Sequence, residues 1–312
     1  MEQPLQMAEP EPDDVPYCRQ KARCCCCKPP RWTHCPICLL VFYVLLMPAI
    51  YVVAHFLVYP GDDYANVDGS LYGASCKVFN FTGRNGPVAA EQCVSAAKGT
   101  TSGPVPVVAF GGNGMNMYDT VESVLDFLPK DQQWEVYSFS FPGSQYAPRS
   151  GWTTERRTEA DALDLLQHIS AKKEQKIVVF GWSLGSSVAA FVTSQKPDLV
   201  QCVMLGNPFT SIRDVALSWT YNFAALYLYL LDTWPTKAFA ANFGVPSIVM
   251  SSLEDQVVPV WMHGEIYKQV PVSEKLLVEL QVGHMDMFMF RQDTAKAIHQ
   301  WCVPSSTEHR LI

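Results

Sequence analysis

The sequence contains no Gly-x-Gly-x-x-Gly and no Walker-type loop, so nothing in it is built to cradle a nucleotide phosphate. Gly111-Gly112-Asn113-Gly114 is glycine-rich but lacks the lysine that such a cradle uses. Positive charge is also scarce. The 23 Lys and Arg stand against 30 Asp and Glu, a net charge of -7, which removes the electrostatic case for nucleic-acid binding. No partner set at metal-ligand spacing accompanies the run Cys24, Cys25, Cys26 and Cys27, so no metal is expected. Internal repeats are absent.

What is present is one long apolar run in a chain of 312 residues, 48% of them hydrophobic. That length suits one sizeable domain plus an appendage. Residues 1–34 read as a disordered tail: Glu9 to Asp14 is acidic and proline-rich, and Arg19, Lys21, Arg23, Lys28 and Arg31 are interleaved with cysteines. Residues 35–59 are long enough to span a bilayer. The run starts too late, and ends in Tyr59-Pro60-Gly61-Asp62-Asp63 rather than small residues, for a cleaved signal peptide. It is read as a signal-anchor. Cations precede it and Asp62, Asp63 and Asp68 follow it, which predicts a cytosolic N-terminus and a lumenal or extracellular domain. Asn80-Phe81-Thr82 is a glycosylation sequon on that side. Cys24 to Cys27, with Cys18, Cys35 and Cys38 nearby, are expected to be S-acylated. Cys76 and Cys93 are expected to bridge, and Cys202 to be buried and free.

Residues 60–103 read as a stalk with an edge hairpin, and residues 104–303 as the catalytic domain, with 304–312 a tail. Strand patterns at Val105 to Phe110, Trp134 to Phe141, Ile177 to Trp182, Val200 to Leu205, Val245 to Met250 and Leu276 to Leu280 alternate with helical stretches. Asn116, and Thr153 or Thr154 before Glu155, are the expected helix caps, and a last helix runs from about Thr294 to Trp301. The alternation predicts an α/β fold with a mostly parallel sheet covered on both faces.

The organising stretch is Gly181-Trp182-Ser183-Leu184-Gly185, an apolar strand running through a sharp turn into a helix of small residues. Such an elbow pushes the hydroxyl of Ser183 above the sheet, and the glycines leave room for neighbouring backbone. A serine nucleophile needs a base and a carboxylate to orient it, supplied at strand ends in the order Ser, Asp, His. Asp255 follows the strand ending at Met250, and His284 follows the strand ending at Leu280. Glu254 competes with Asp255, whose shorter side chain suits a turn before Val257-Val258-Pro259. His263 lies too near Asp255 in sequence to be the base, and Asp286 either holds the His284 loop or caps an ordinary turn. The amides of Leu184 and Asn113 are the expected oxyanion donors.

Taken together, these motifs resemble the α/β-hydrolase superfamily, and within it the membrane-anchored ABHD-type (Bem46-like) lipases and thioesterases. The loop Gly111-Gly112-Asn113-Gly114-Met115-Asn116 is similar to their His-Gly-Asn-x-x-Asn loop, with Gly111 in place of the histidine. Asn207-Pro208-Phe209-Thr210-Ser211-Ile212, Asp255 to Pro259 and Gly283-His284-Met285-Asp286 also match. The resemblance implies hydrolysis of esters, thioesters or lipids without a cofactor. It also implies a cap, here residues 213–242, whose aromatic-aliphatic stretch suits an acyl pocket or a membrane-dipping surface; an ordinary core helix is the competing reading. Trp182, Trp219 and Phe223 are the expected pocket residues. The partners expected are a lipid or acylated substrate and the membrane, and the oligomeric state is open. A serine peptidase of the same fold and a non-catalytic interaction module are the alternatives.

Overall fold

The computed structural model describes residues 74–96, 103–142, 152–220 and 233–304, together with Val52, His55, Phe56, Val58 and Tyr59. No helix among the described residues is long and apolar enough to cross a membrane. Apart from those five residues, the apolar run 35–59 lies outside the described part, as do the tail 1–34, residues 60–73 of the stalk, the central cap residues 221–232 and the C-terminal residues 305–312.

Eight strands form one sheet in the order β1-β2-β4-β3-β5-β6-β7-β8. The hairpin β1 (Ser75–Gly83) and β2 (Gly86–Val94) pairs antiparallel, and β2 meets β4 (Trp134–Phe139) the same way. From β4 onward all pairing is parallel, through β3 (Val105–Phe110), β5 (Ile177–Trp182), β6 (Val200–Gly206), β7 (Ser247–Ser252) and β8 (Lys275–Leu280). The inner strands are buried on both faces, which explains why β3 and β5 are continuous apolar runs, whereas β4 also buries Glu135 and Ser138 and β7 buries serines.

Successive side chains divide between two cores. Val108, Phe110, Val179 and Leu205 point to the layer holding α2 (Glu155–Ser170) and α3 (Leu184–Gln195). Val107, Ala109, Val178, Phe180 and Met204 point to the opposite layer, with α1 (Met117–Phe127) and the C-terminal turns. The expected caps form: Asn116 Oδ1 accepts from Tyr118 and Asp119 amides, and Thr154 Oγ1 from Arg157 N. The shorter helices are α4 (Ile212–Thr220), α5 (Thr236–Ala240), α6 (Val260–Gln269) and α7 (Arg291–Ala297). The last helix begins at Arg291, earlier than the sequence suggested, and finishes in a wider turn at Ile298–Cys302.

That final turn corrects one expectation. Cys202 is buried but not free, because it is bonded to Cys302, 100 residues further on. The bond ties the centre of β6 to the end of the described chain, closing a loop long enough for the chain-entropy effect to reach several kcal/mol, ~4–5 on the entropic account. Cys76 and Cys93, directly opposed in the hairpin, form the expected bridge.

Glu91 on β2 is buried, and that burial, with the charges of Glu122 and Asp119, pushes its carboxyl from 4.5 up to about 7. Between those values the folded chain holds a proton that the unfolded chain has released. Stability contributed by this group therefore falls as pH rises through that window. Glu91→Gln is expected to unfold at higher urea than wild type at pH 8, by about 1–3 kcal/mol, and at the same urea at pH 4. An equal shift at both pH values would show that the carboxyl is not the cause.

Candidate active site

Ser183 joins β5 to α3 with φ 52° and ψ -118°, a backbone strained for any residue with a side chain. Neighbouring contacts impose that strain. A Cβ at Gly181 would lie 2.2 Å from the carbonyl oxygen of Gly185, and one at Gly185 would lie 2.1 Å from that of Phe110. Only glycine lets β5, α3 and the end of β3 approach this closely. Ser183 N donates to Gly206 O at 2.8 Å, which fixes the turn to β6. Leu184 is the first residue of α3, where amides have no intrahelical partner.

The loop after β3 folds onto this turn. A Cβ on Gly112 would stand 3.4 Å from Ser183 Cβ, and Asn113, next in the chain, is exposed. Gly111, where the resemblance implies a histidine, is closely packed. A Cβ at Gly111 would fall 2.2 Å from Thr120 Oγ1 and 2.9 Å from Met115 Cβ, so any side chain there would displace these neighbours.

His284 and Asp255 are brought together from the ends of β8 and β7. His284 Nδ1 lies 2.6 Å from Asp255 Oδ2, and the Asp255 side chain is fully buried. Its other oxygen accepts from the amides of Val257 and Val258 at 2.7 and 2.8 Å. Burial alone would raise this carboxyl, but the hydrogen bond and charge of His284 and the two amides outweigh it and hold the carboxyl below the usual range. Glu254 is exposed, and Asp286 accepts from Gly283 N at 2.8 Å, holding the histidine loop.

Two residues that the sequence did not single out for a role support this pair. Asn207, with φ 45° at the end of β6, donates from Nδ2 to His284 O at 3.0 Å and accepts Ser252 N on Oδ1 at 2.9 Å. It therefore sets the height of the His284 loop over the sheet. An Asn-Pro dipeptide can mark a turn, but these partners come from the end of β7 and the loop after β8. His263 on α6 is the second. It is buried, its Nδ1 is 3.0 Å from Ser251 Oγ, and its Nε2 is 3.6 Å from Asp255 Oδ2. Burial pushes its protonation down to about 4, so it is neutral at physiological pH. A lone pair on Nε2 would face a carboxylate in a dry site, so we assign the proton to Nε2 and the Ser251 hydroxyl as donor to Nδ1.

His263 Nε2 then completes the surroundings of the Asp255 charge. In His263→Leu the carboxylate acts on His284 alone, so kcat/KM for an ester is expected to fall about tenfold and its acid limb to move to higher pH. His263→Gln, which restores an N–H, should return the limb to its place. An unshifted limb in the leucine variant would remove the role.

The other expected site residues are placed differently. Trp182 is not a pocket residue: it points into the core, over Gly206, where a Cβ would lie 1.9 Å from the indole. It shares that face with Val178 and Phe180 by strand alternation, and its Nε1 donates to His284 O at 3.1 Å. Trp219 is exposed on α4, and Phe223 lies outside the described residues. Asn80 is exposed on the edge strand β1, and Cys24 to Cys27 lie outside the described residues.

Comparison with known proteins agrees with this fold. Residues 105–229 match the sequence profile described as the alpha/beta hydrolase fold. The alpha/beta hydrolase domain-containing protein WAV2 of Arabidopsis thaliana is 29% identical over 201 residues, 59% of this chain and 64% of that protein. The lysophosphatidylserine lipase ABHD12 of Danio rerio is 26% identical over 46% of this chain and 41% of its own length. The chain thus spans less than two thirds of the length of either relative. Among solved structures, the esterase Pf2001 of Pyrococcus furiosus superposes with TM-score 0.61 at 15% identity, over 79% of this chain and all of that one, a likeness of fold.

Proposed function

This chain is an α/β hydrolase of the Bem46/ABHD type, and on that footing we propose that it is a membrane-anchored serine hydrolase cleaving ester or thioester bonds of lipid-like or acylated substrates. The observation that carries the reading is the buried Asp255 carboxylate, bonded at 2.6 Å to a histidine on the same sheet edge as a strained serine. A binding module has no use for that combination.

In the proposed reaction Asp255, which stays ionised, accepts a hydrogen bond from His284 Nδ1–H and so leaves Nε2 free as the base. His284 takes the Ser183 proton as Oγ attacks the acyl carbonyl, and the Leu184 and Asn113 amides hold the oxyanion. The imidazolium then protonates the leaving alcohol or thiol. Water, activated by the same nitrogen, cleaves the Ser183 ester and releases the acid. No step calls for a metal or an organic cofactor.

The lipid-like substrate is supported by the lipase among the relatives and by the aromatic-aliphatic stretch after α4. A series of p-nitrophenyl esters and acyl thioesters of increasing chain length tests it. We expect kcat/KM to rise with chain length, whereas faster cleavage of aminoacyl amides than of any ester would make the protein a peptidase.

The membrane anchor at 35–59, S-acylation of Cys24 to Cys27 and glycosylation of Asn80 belong to the same proposal, with the catalytic domain lumenal or extracellular. Asn80→Gln is expected to abolish a glycosidase-sensitive mobility shift. A domain fully open to protease from the cytosol would reverse the topology.

A further inference from the structure

Most of the large exposed apolar side chains among the described residues lie on segments that follow strand ends. Among the described residues, Trp152 follows β4, Trp219 follows β6, Trp261 follows β7, and Met285, Phe288 and Met289 follow β8. All stand on segments that leave the carboxyl ends of the parallel strands, the edge that carries Ser183, Asp255 and His284. Val78 on β1 is an exception. The three tryptophans are 50 to 58% exposed, and Met285, beside the candidate base His284, is 70% exposed. Repeated large exposed apolar side chains on the segments that follow one set of strand ends point to an interaction surface.

The patch continues into the end of the apolar run. The Phe56 ring, 58% exposed, stands 6.1 Å from that of Trp152, and the His55 ring 4.4 Å from it. Tyr59 Oη accepts from Trp234 Nε1 at 2.9 Å, pinning that end to the segment before α5. Cations adjoin the aromatic rings as well. Arg157 Nη1 donates to Trp152 O at 2.9 Å, and Arg157 and Arg156 line a cleft of about 460 Å³ with Glu159 and with Arg84, whose guanidinium is paired with Asp164. Exposed tryptophan beside arginine is the composition that suits the headgroup layer, where a ring meets acyl chains and a guanidinium meets phosphate.

We propose that the carboxyl edge of the sheet is a bilayer-docking surface, resting on the lipid leaflet so that acyl substrate reaches Ser183 from the membrane. This rests on the hydrolase reading for its substrate, but not for the docking itself. Full-length protein reconstituted in phosphatidylcholine vesicles tests it in two ways.

Tryptophan emission is measured with lipid brominated near the headgroup end of the acyl chain. Replacing Trp152 and Trp261 together by phenylalanine is expected to lower the quenched emission by roughly two thirds, since two of the three interfacial rings named above are gone. In Phe288→Ser combined with Met289→Ser, hydrolysis of a long-chain ester carried in the vesicle should fall about tenfold, while a short soluble ester is cleaved as before. Unchanged quenching, or parallel change on the two esters, overturns the docking surface. Quenching needs no turnover, so a failure of the hydrolase reading would leave that result standing.

Discussion

Ser183→Ala is expected to lower ester hydrolysis by at least about ten-thousandfold while the protein remains folded. The serine is held at φ 52° by contacts of Gly181, Gly185 and Gly206, not by its own side chain, so alanine inherits the same turn. What would remain is the assistance that the proposed oxyanion donors, the Leu184 and Asn113 amides, give to water, which is small without the nucleophile. Matching circular dichroism with full activity in the alanine variant would mean another residue forms the acyl-enzyme.

Asp255→Asn should cost about a thousandfold or more, for a reason written in the hydrogen bonds. Val257 and Val258 amides both donate to Oδ1, so the asparagine oxygen must take that place. Its NH2 then faces His284 Nδ1, where a carboxylate oxygen stood at 2.6 Å. The imidazole answers with its other tautomer, Nε2 becomes a donor, and no base faces Ser183. A loss of less than about tenfold in kcat, measured at the wild-type optimum, would show that His284 needs no orienting carboxylate. Asp255→Asn also turns NH2 toward His263, so its stability should fall alongside.

Local signals made much of this legible in the sequence. The elbow is continuous in the chain, and Val178, Phe180 and Trp182 alternate with Ile177, Val179 and Gly181 as a two-sided strand must. Asp255 and His284 each follow a strand, so the topology alone delivers them to one edge. The features that escaped depend on which distant segments meet. Cys202 looked like a core residue because its partner lies 100 positions away. Trp182 looked like a pocket residue because a site motif contains it, yet strand alternation and the missing side chain of Gly206 send it inward. His263 was set aside for its nearness to Asp255 in sequence, and that nearness is what lets α6 fold its ring back beside the carboxylate, 3.6 Å away.

The most direct measurement is labelling of the full-length, membrane-extracted protein with a fluorophosphonate, followed by mass spectrometry of the modified peptide. An activated Ser183 predicts one adduct per chain, on the peptide containing Gly181-Trp182-Ser183-Leu184-Gly185, absent in Ser183→Ala and strongly reduced in His284→Ala. Folded wild-type protein that stays unlabelled, or an adduct that persists in Ser183→Ala, would contradict the account.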